Sequence, residues 1–257
     1  MVGIAPAIVL RDVSIAYAGH PAVHRVSGGF APGSMTAIVG PNGAGKSSLL
    51  RALALGTGGA GARLTGAIER GGLGPTALAY LPQQPALDRR FPITCRELAI
   101  AGLWPRLGAF AAVPGDAAGR ADQALRSVGL AGFAARPIGA LSAGQFQRAL
   151  FARMLLQDAQ VLLLDEPFNA LDARTTADLL GLLAGWHGEG RTIVAVLHDL
   201  DMVRGHFPEC LLLARGVVGW GPTASVLSAP NRLRARRMAE AWEDGAGACP
   251  AAVPAAA

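Results

Sequence analysis

The sequence predicts an α/β fold in which helices cover both faces of a parallel sheet, and three observations carry that expectation. Short, largely apolar runs recur at 35–39, 161–164 and 193–197, as in strands buried on both sides. A loop and a helix-compatible stretch follow each run, so strand and helix alternate. One of these strand-to-helix turns, residues 40–47, is rich in glycine.

Ahead of that core, residues 8–30 alternate in the manner of strands around a turn at Gly19, His20 and Pro21, which predicts an antiparallel sheet. The strand at 35–39 leads through the glycine-rich loop into a helix over 47–55, whose leucines and alanines favour it. Residues 56–74 read as loop with at most one more hairpin around 64–69, and 77–81 as a short strand. From 82 to about 139, helical segments are broken by Pro92, Pro105, Pro114 and Pro137 without any strand pattern, which predicts a helical lobe inserted at about 86–155. Ser142 is placed to cap a helix through about 157. A strand at 161–164, a helix over 173–186, a strand at 191–197 and a short helix over 200–207 continue the alternation, and a hairpin around Arg215 and Gly216 closes it. This domain occupies 1–228; 229–257 adds a basic helix and an Ala, Pro and Gly tail with too little apolar surface to fold.

Composition excludes some classes of function. The 257 residues can bury a sizeable core, and although 51% are hydrophobic, no uninterrupted apolar run reaches the roughly 18 residues that span a bilayer. The first ten residues lack a basic flank and a cleavage site, so no secretory signal is expected. Cys95, Cys210 and Cys249 are odd in number and show no paired spacing, which argues against a disulfide framework or a thiolate zinc site and suits a reducing cytosol. His20, His24, His187 and His206 show no ligand-like grouping. The net charge of +5 is compatible with nucleic acid, a membrane surface or plain solubility, and decides nothing alone. Arg232, Arg234, Arg236 and Arg237 likewise either contact anionic lipid or solvate the last helix. Lys46 is more telling, being the only lysine in the chain.

Gly40-Pro41-Asn42-Gly43-Ala44-Gly45-Lys46-Ser47 fits the phosphate-loop pattern G-x-x-x-x-G-K-[ST], between an expected strand and an expected helix as that motif requires. The glycines let successive main-chain N–H groups turn towards phosphates, and the helix N-terminus adds positive charge. Lys46 would reach the β and γ phosphates, Ser47 would ligate Mg²⁺, and Ser48 would add a phosphate contact. Downstream, 161–167 is a buried strand ending in Asp165 and Glu166, at the carboxyl edge where doubly wound sheets bind phosphates. Asp165 would hold Mg²⁺ through water, and Glu166 would orient or deprotonate the attacking water. A guanine-reading Asn-Lys-x-Asp segment needs a second lysine, which the chain lacks.

Leu141-Ser142-Ala143-Gly144-Gln145 resembles the LSGGQ signature of ABC ATPases, and the resemblance extends over nearly the whole chain. It implies an ABC-type P-loop NTPase (RecA-like) core with an antiparallel β subdomain and an inserted α-helical subdomain. It also implies that the signature of one copy meets the ATP held by a second copy, in a homodimer that closes on ATP. Ala143 departs from the pattern, standing where the family has its first glycine. By the same resemblance Tyr17 stacks on adenine, an ordinary strand tyrosine being the rival reading, and Gln83 is the glutamine that touches Mg²⁺ and the attacking water. Gln84 beside it leaves a register alternative. Asn169-Ala-Leu-Asp172 matches the D-loop, Asp172 supporting the partner's site, and His198 matches the histidine that hydrogen-bonds the γ-phosphate.

Around 91–94 and 196–222 the chain looks like the ATPases of zinc, manganese and iron importers, with zinc first. The partners so implied are integral-membrane permease subunits, met through an apolar groove near Phe91, Pro92 and Trp104 unless Trp104 is plain core, and indirectly a solute-binding protein. The location implied is the cytoplasmic face of the inner membrane, peripherally. Importers of iron-siderophore or heme type, and a soluble ABC ATPase outside transport, are the alternatives. No nucleic-acid partner is expected, because the long coiled-coil or zinc-binding insertions of repair ATPases do not occur in the sequence.

Overall fold

The computed structural model describes residues 7–74, 76–84, 87–108, 111–169 and 171–244. Along the chain run β1 (Ile8–Tyr17), β2 (His20–Phe30), β3 (Met35–Val39), α1 (Lys46–Leu55), β4 (Ala62–Glu69) and β5 (Leu78–Leu81). Then come α2 (Cys95–Ile100), α3 (Trp104–Leu107), α4 (Ala117–Ser127), α5 (Ala143–Gln157), β6 (Val161–Asp165), α6 (Ala173–Gly188) and β7 (Thr192–Val196). α7 (Leu200–His206), β8 (Glu209–Ala214), β9 (Gly216–Pro222), α8 (Thr223–Val226) and α9 (Ala229–Asp244) complete it. Two compact units emerge: 7–31, 35–71 and 196–244 form the first, and 32–34 and 72–195 the second. The tail beyond 244, expected to be unfolded, lies outside the described residues.

In the first unit β1 is the middle strand of an antiparallel sheet, β2-β1-β4. Inward residues Ile8, Leu10, Val13, Ile15, Val23 and Val26 are fully or almost fully buried. Irregularities between Leu10 and Val13 turn Asp12 to φ 51°, and the hydroxyls of Ser27 and Ser14 accept the N–H groups of Asp12 and Arg25. The hairpin expected around 64–69 is not formed. That stretch is the single strand β4, because it pairs along the second edge of β1 from Tyr17 to Val9, with one irregularity between Arg11 and Ser14. β3 pairs in parallel with β8, which turns through Arg215 at φ 59° into the antiparallel β9, the expected hairpin.

The second unit holds β6 between β5 and β7, with β5 and β6 parallel. All five residues of β6 and of β7 are buried, the covering on both faces that their apolar runs foretold. Helices α2, α3 and α4 pack on α5, whose Phe146, Leu150, Phe151 and Met154 are buried. Thr94 and Glu97 form a capping box at the start of α2, and the Arg96 guanidinium grips Asp122 on α4 at 2.8 Å. Among the described residues no helix is long and apolar enough to cross a membrane.

Candidate functional site

In the first unit the apolar strand β3 delivers the chain into the loop 40–45. Both ends of that loop must be glycine. A Cβ on Gly40 would stand 1.9 Å from the Leu213 carbonyl oxygen, and one on Gly45 2.1 Å from that of Ala22. Gly45 is the N-cap of α1 at φ 87° and offers no side-chain cap, and the first turn carries no acid. The helix dipole therefore places partial positive charge at this end, uncapped by Gly45 and with no acid in the first turn, as an anion site demands. Lys46, only 6% exposed, donates its Nζ protons to the carbonyls of Gly40 and Pro41, both at 2.9 Å.

Two further expected residues lie beside this loop. Tyr17, at the end of β1, donates to the Gly58 carbonyl at 2.8 Å and lies 3.3 Å from the Ser48 hydroxyl. The Leu197 N–H donates to the Ile38 carbonyl at 3.1 Å, which seats the exposed His198 next to the end of β3. His198, Gly40 and Pro41 line one cavity of about 390 Å³ together with Arg232, Ala235 and Arg236 of α9.

The second unit holds the carboxylates. Asp165, 2% exposed, ends β6, and Glu166 follows at φ 49°, a backbone conformation uncommon for a residue with a side chain. Gln83 donates its Nε2 proton to Glu166 Oε2 at 2.6 Å, and Asn169 donates its Nδ2 to the same oxygen. Asp172 is the N-cap of α6. Its carboxylate accepts from the Thr175 N–H at 2.8 Å and the Thr175 hydroxyl at 2.9 Å, which holds its pKa below the usual carboxylate range.

At residues 141–145 the structure builds a second helix N-terminus, capped by neutral side chains and without an acid in its first turn. Ser142 and Gln145 form a capping box: the Ser142 hydroxyl accepts the Gln145 N–H at 3.2 Å, and Gln145 Oε1 accepts the Ser142 N–H at 3.0 Å. Leu141 is buried, while Ser142 and Ala143 are exposed.

A family model described as ABC transporter matches residues 23–169. The chain belongs to the ATP-binding family of ABC transporters. As such it is an ATP-hydrolysing enzyme. The manganese transport system ATP-binding protein MntB of Halalkalibacterium halodurans is 33% identical over 86% of this chain and 88% of its own length. The zinc transport system ATP-binding protein TroB of Treponema pallidum is 36% identical over 86% and 84%. Among solved structures, an inward-facing ABC transporter superposes with a TM-score of 0.76 at 26% identity, covering 89% of this chain and 88% of that one. The fold is thus that of an ABC ATPase cassette.

Within the cassette, sequence reasoning passed over two residues. Arg89 donates to the Leu141 carbonyl and lies 5.1 Å over the Phe146 ring, bracing the segment that opens α5 from both sides. Asn169 entered only as part of a motif, although its side chain grips Glu166. Neither had a local signal, since an arginine in a loop and an asparagine in a turn are ordinary. Burial pushes the Cys210 thiol up to about 12 and raises that of buried Cys95, so neither is a thiolate at neutral pH.

Proposed function

We propose that two copies of this chain close on two ATP molecules, and that closure drives a divalent metal, manganese or zinc, through separate integral-membrane permease subunits. The observation that carries this reading is the start of α5. Its exposed Ser142 and Ala143 head a helix capped only by a neutral hydroxyl and a neutral amide, with no acid in its first turn. An anion supplied by another molecule satisfies such an end.

In this reading Lys46 exchanges the Gly40 and Pro41 carbonyls for the β and γ phosphates, and the α1 N–H groups with Ser47 and Ser48 complete the cradle. Tyr17 stacks on adenine, and His198 hydrogen-bonds the γ-phosphate. Ser142, Gly144 and Gln145 bind the ATP of the second copy across the dimer, where Asp172 supports the partner's site. Glu166 orients the attacking water and takes its proton; phosphoryl transfer asks little more of a protein than positioning and charge.

The donor set suits Mg²⁺. A serine hydroxyl at the first turn of α1 (Ser47), one buried carboxylate (Asp165) and a glutamine amide oxygen (Gln83) are hard oxygen ligands, too few for a full cage, as magnesium with its retained waters prefers. When bound, the ion neutralises charge on the β and γ phosphates. Gln83 already gives its nitrogen to Glu166, so it would offer the ion its Oε1.

The cargo assignment rests on relatives named for manganese and for zinc transport. The permease surface is assigned to the second unit, where Trp104 is 63% exposed rather than core and lines a groove of about 610 Å³ with Ala101, Pro105, Leu107 and Val113. Phe91 and Pro92 are exposed but do not line that groove. The chain then sits peripherally on the cytoplasmic face of the membrane, and a solute-binding protein delivers the metal from the other side.

The test is reconstitution with the permease and solute-binding protein in liposomes. ATP-dependent uptake of labelled manganese or zinc supports the reading, and the preferred ion decides between them. A Glu166→Gln chain that stays monomeric in Mg-ATP, with and without the permease, overturns it, as would ATPase activity stimulated by DNA with no membrane partner.

A further inference from the structure

The turn after β6 is built more firmly than a motif needs. Glu166 stands at φ 49°, and the Asn169 N–H donates back to the Glu166 carbonyl at 3.3 Å, closing residues 166–169 into a turn. Pro167 and Phe168 in its middle are buried, and Gln147 of α5 donates its Nε2 to the Pro167 carbonyl at 3.0 Å. On that anchored base the Asn169 side chain reaches back to Glu166 Oε2, the oxygen that Gln83 also holds. A carboxylate is an acceptor only, so both amides must present their nitrogen to it.

We infer that Asn169 is the positioning residue for Glu166, holding one carboxylate oxygen so that the group meets water in a single orientation. The inference rests on Glu166 acting as proposed above. Asn169 and Gln83 are not equivalent in this task. Gln83 comes from a separate segment and is also claimed by the metal, whereas Asn169 sits three residues from Glu166 on the same pinned turn. Its place on that turn keeps it within reach of the carboxylate even where Gln83 turns to the metal. Hydrogen bonds to charged groups are the strong ones, and losing one at an oriented base typically costs about tenfold in rate.

Two variants separate this role from a structural one. Asn169→Ala removes the donor; Asn169→Asp keeps the size and the main-chain turn but sets an oxygen against Glu166. With the purified full chain in Mg-ATP, both are expected to lower kcat roughly tenfold or more, to leave the KM for ATP within about twofold and to leave the unfolding temperature unchanged. In a Glu166→Gln background, adding Asn169→Ala should cost no further rate, because the group it orients is already disabled. Wild-type kcat in Asn169→Asp, or a loss that is fully additive with Glu166→Gln, overturns the inference. If Glu166→Gln alone turns over ATP like wild type, it is the assignment of Glu166 that fails.

Discussion

Lys46 is folded onto Gly40: its ε-amine donates to the Gly40 carbonyl at 2.9 Å, and to that of Pro41 at the same distance. Both acceptors are main-chain oxygens of its own loop, and Lys46 is only 6% exposed. Triphosphate oxygens are stronger acceptors than main-chain carbonyls, so nucleotide draws the ε-amine away from Gly40 and Pro41.

Lys46→Ala should therefore leave the fold intact and weaken ATP binding about 10- to 100-fold, the worth of one hydrogen bond to a charged group at about 1.5–3 kcal/mol. Titration with a fluorescent ATP analogue reads this directly. Since Lys46 is the only lysine, an amine-selective reagent has one ε-amine to find, and ATP should protect it. Unchanged affinity in the alanine variant would remove Lys46 from the site.

Glu166→Gln keeps the shape and the hydrogen-bonding reach of Glu166 but not its charge. ATP binding should survive, while kcat falls by at least about 100-fold, the usual contribution of a positioned general base. Single-turnover ATPase measurements with matched binding isotherms check both halves of the statement.

The cores of both units were legible because burial writes itself into composition. A strand covered on both faces must be apolar throughout, and β3, β6 and β7 show that pattern. The phosphate loop was legible because Gly40 and Gly45 stand where a Cβ would collide with main chain. β4 was harder. It is half exposed, carries Gly66 in mid-strand and takes its partner from β1, some fifty residues earlier, so neither periodicity nor a turn signal marks it. The grip of Asn169 on Glu166 left no trace of its own, for a side-chain hydrogen bond to a neighbouring turn residue needs no unusual residue type.

Two glycines of the loop, Gly40 at its start and Gly43 within it, make different demands. Gly40→Ala must displace the Leu213 carbonyl and should destabilise the chain by on the order of 3 kcal/mol or more, whereas Gly43→Ala, at φ 74° with nothing within 4 Å, should cost only the ~1–2 kcal/mol of a left-handed alanine. Urea unfolding of the pair distinguishes a packing constraint from a purely conformational one. Equal losses would mean that the loop relaxes around Gly40.

Ala143 stands at the first position of α5, exposed beside Ser142. Ala143→Gly restores the family's glycine, should cost up to about 1 kcal/mol of helix stability, and should raise the ATPase rate by opening the helix end to phosphate. Ser142→Ala removes the acceptor for the Gln145 N–H and should cost about 1 kcal/mol while lowering the rate. Stability and turnover thus move oppositely in the first variant and together in the second. Paired unfolding and ATPase assays would expose a purely structural α5 terminus, since both variants would then change stability alone.

Asp172 supplies a pH test. Its carboxyl pKa is lowered by the Thr175 N–H, then by the Thr175 hydroxyl, both of which favour the charged form. A depressed folded-state value means that the ionised cap stabilises the fold at all pH above the ordinary Asp range, and that this contribution fades as pH falls through that range towards the folded-state value. Asp172→Asn retains a capping side chain without a titrating group. The difference in urea midpoint between wild type and Asp172→Asn should accordingly stay flat from pH 7 to about 5 and shrink below about 4, where the unfolded chain binds at Asp172 a proton that the folded one still refuses. The other acid-labile carboxylates are common to both proteins and cancel, so a difference that stays constant down to pH 3 would show that the charge on Asp172 does not hold α6.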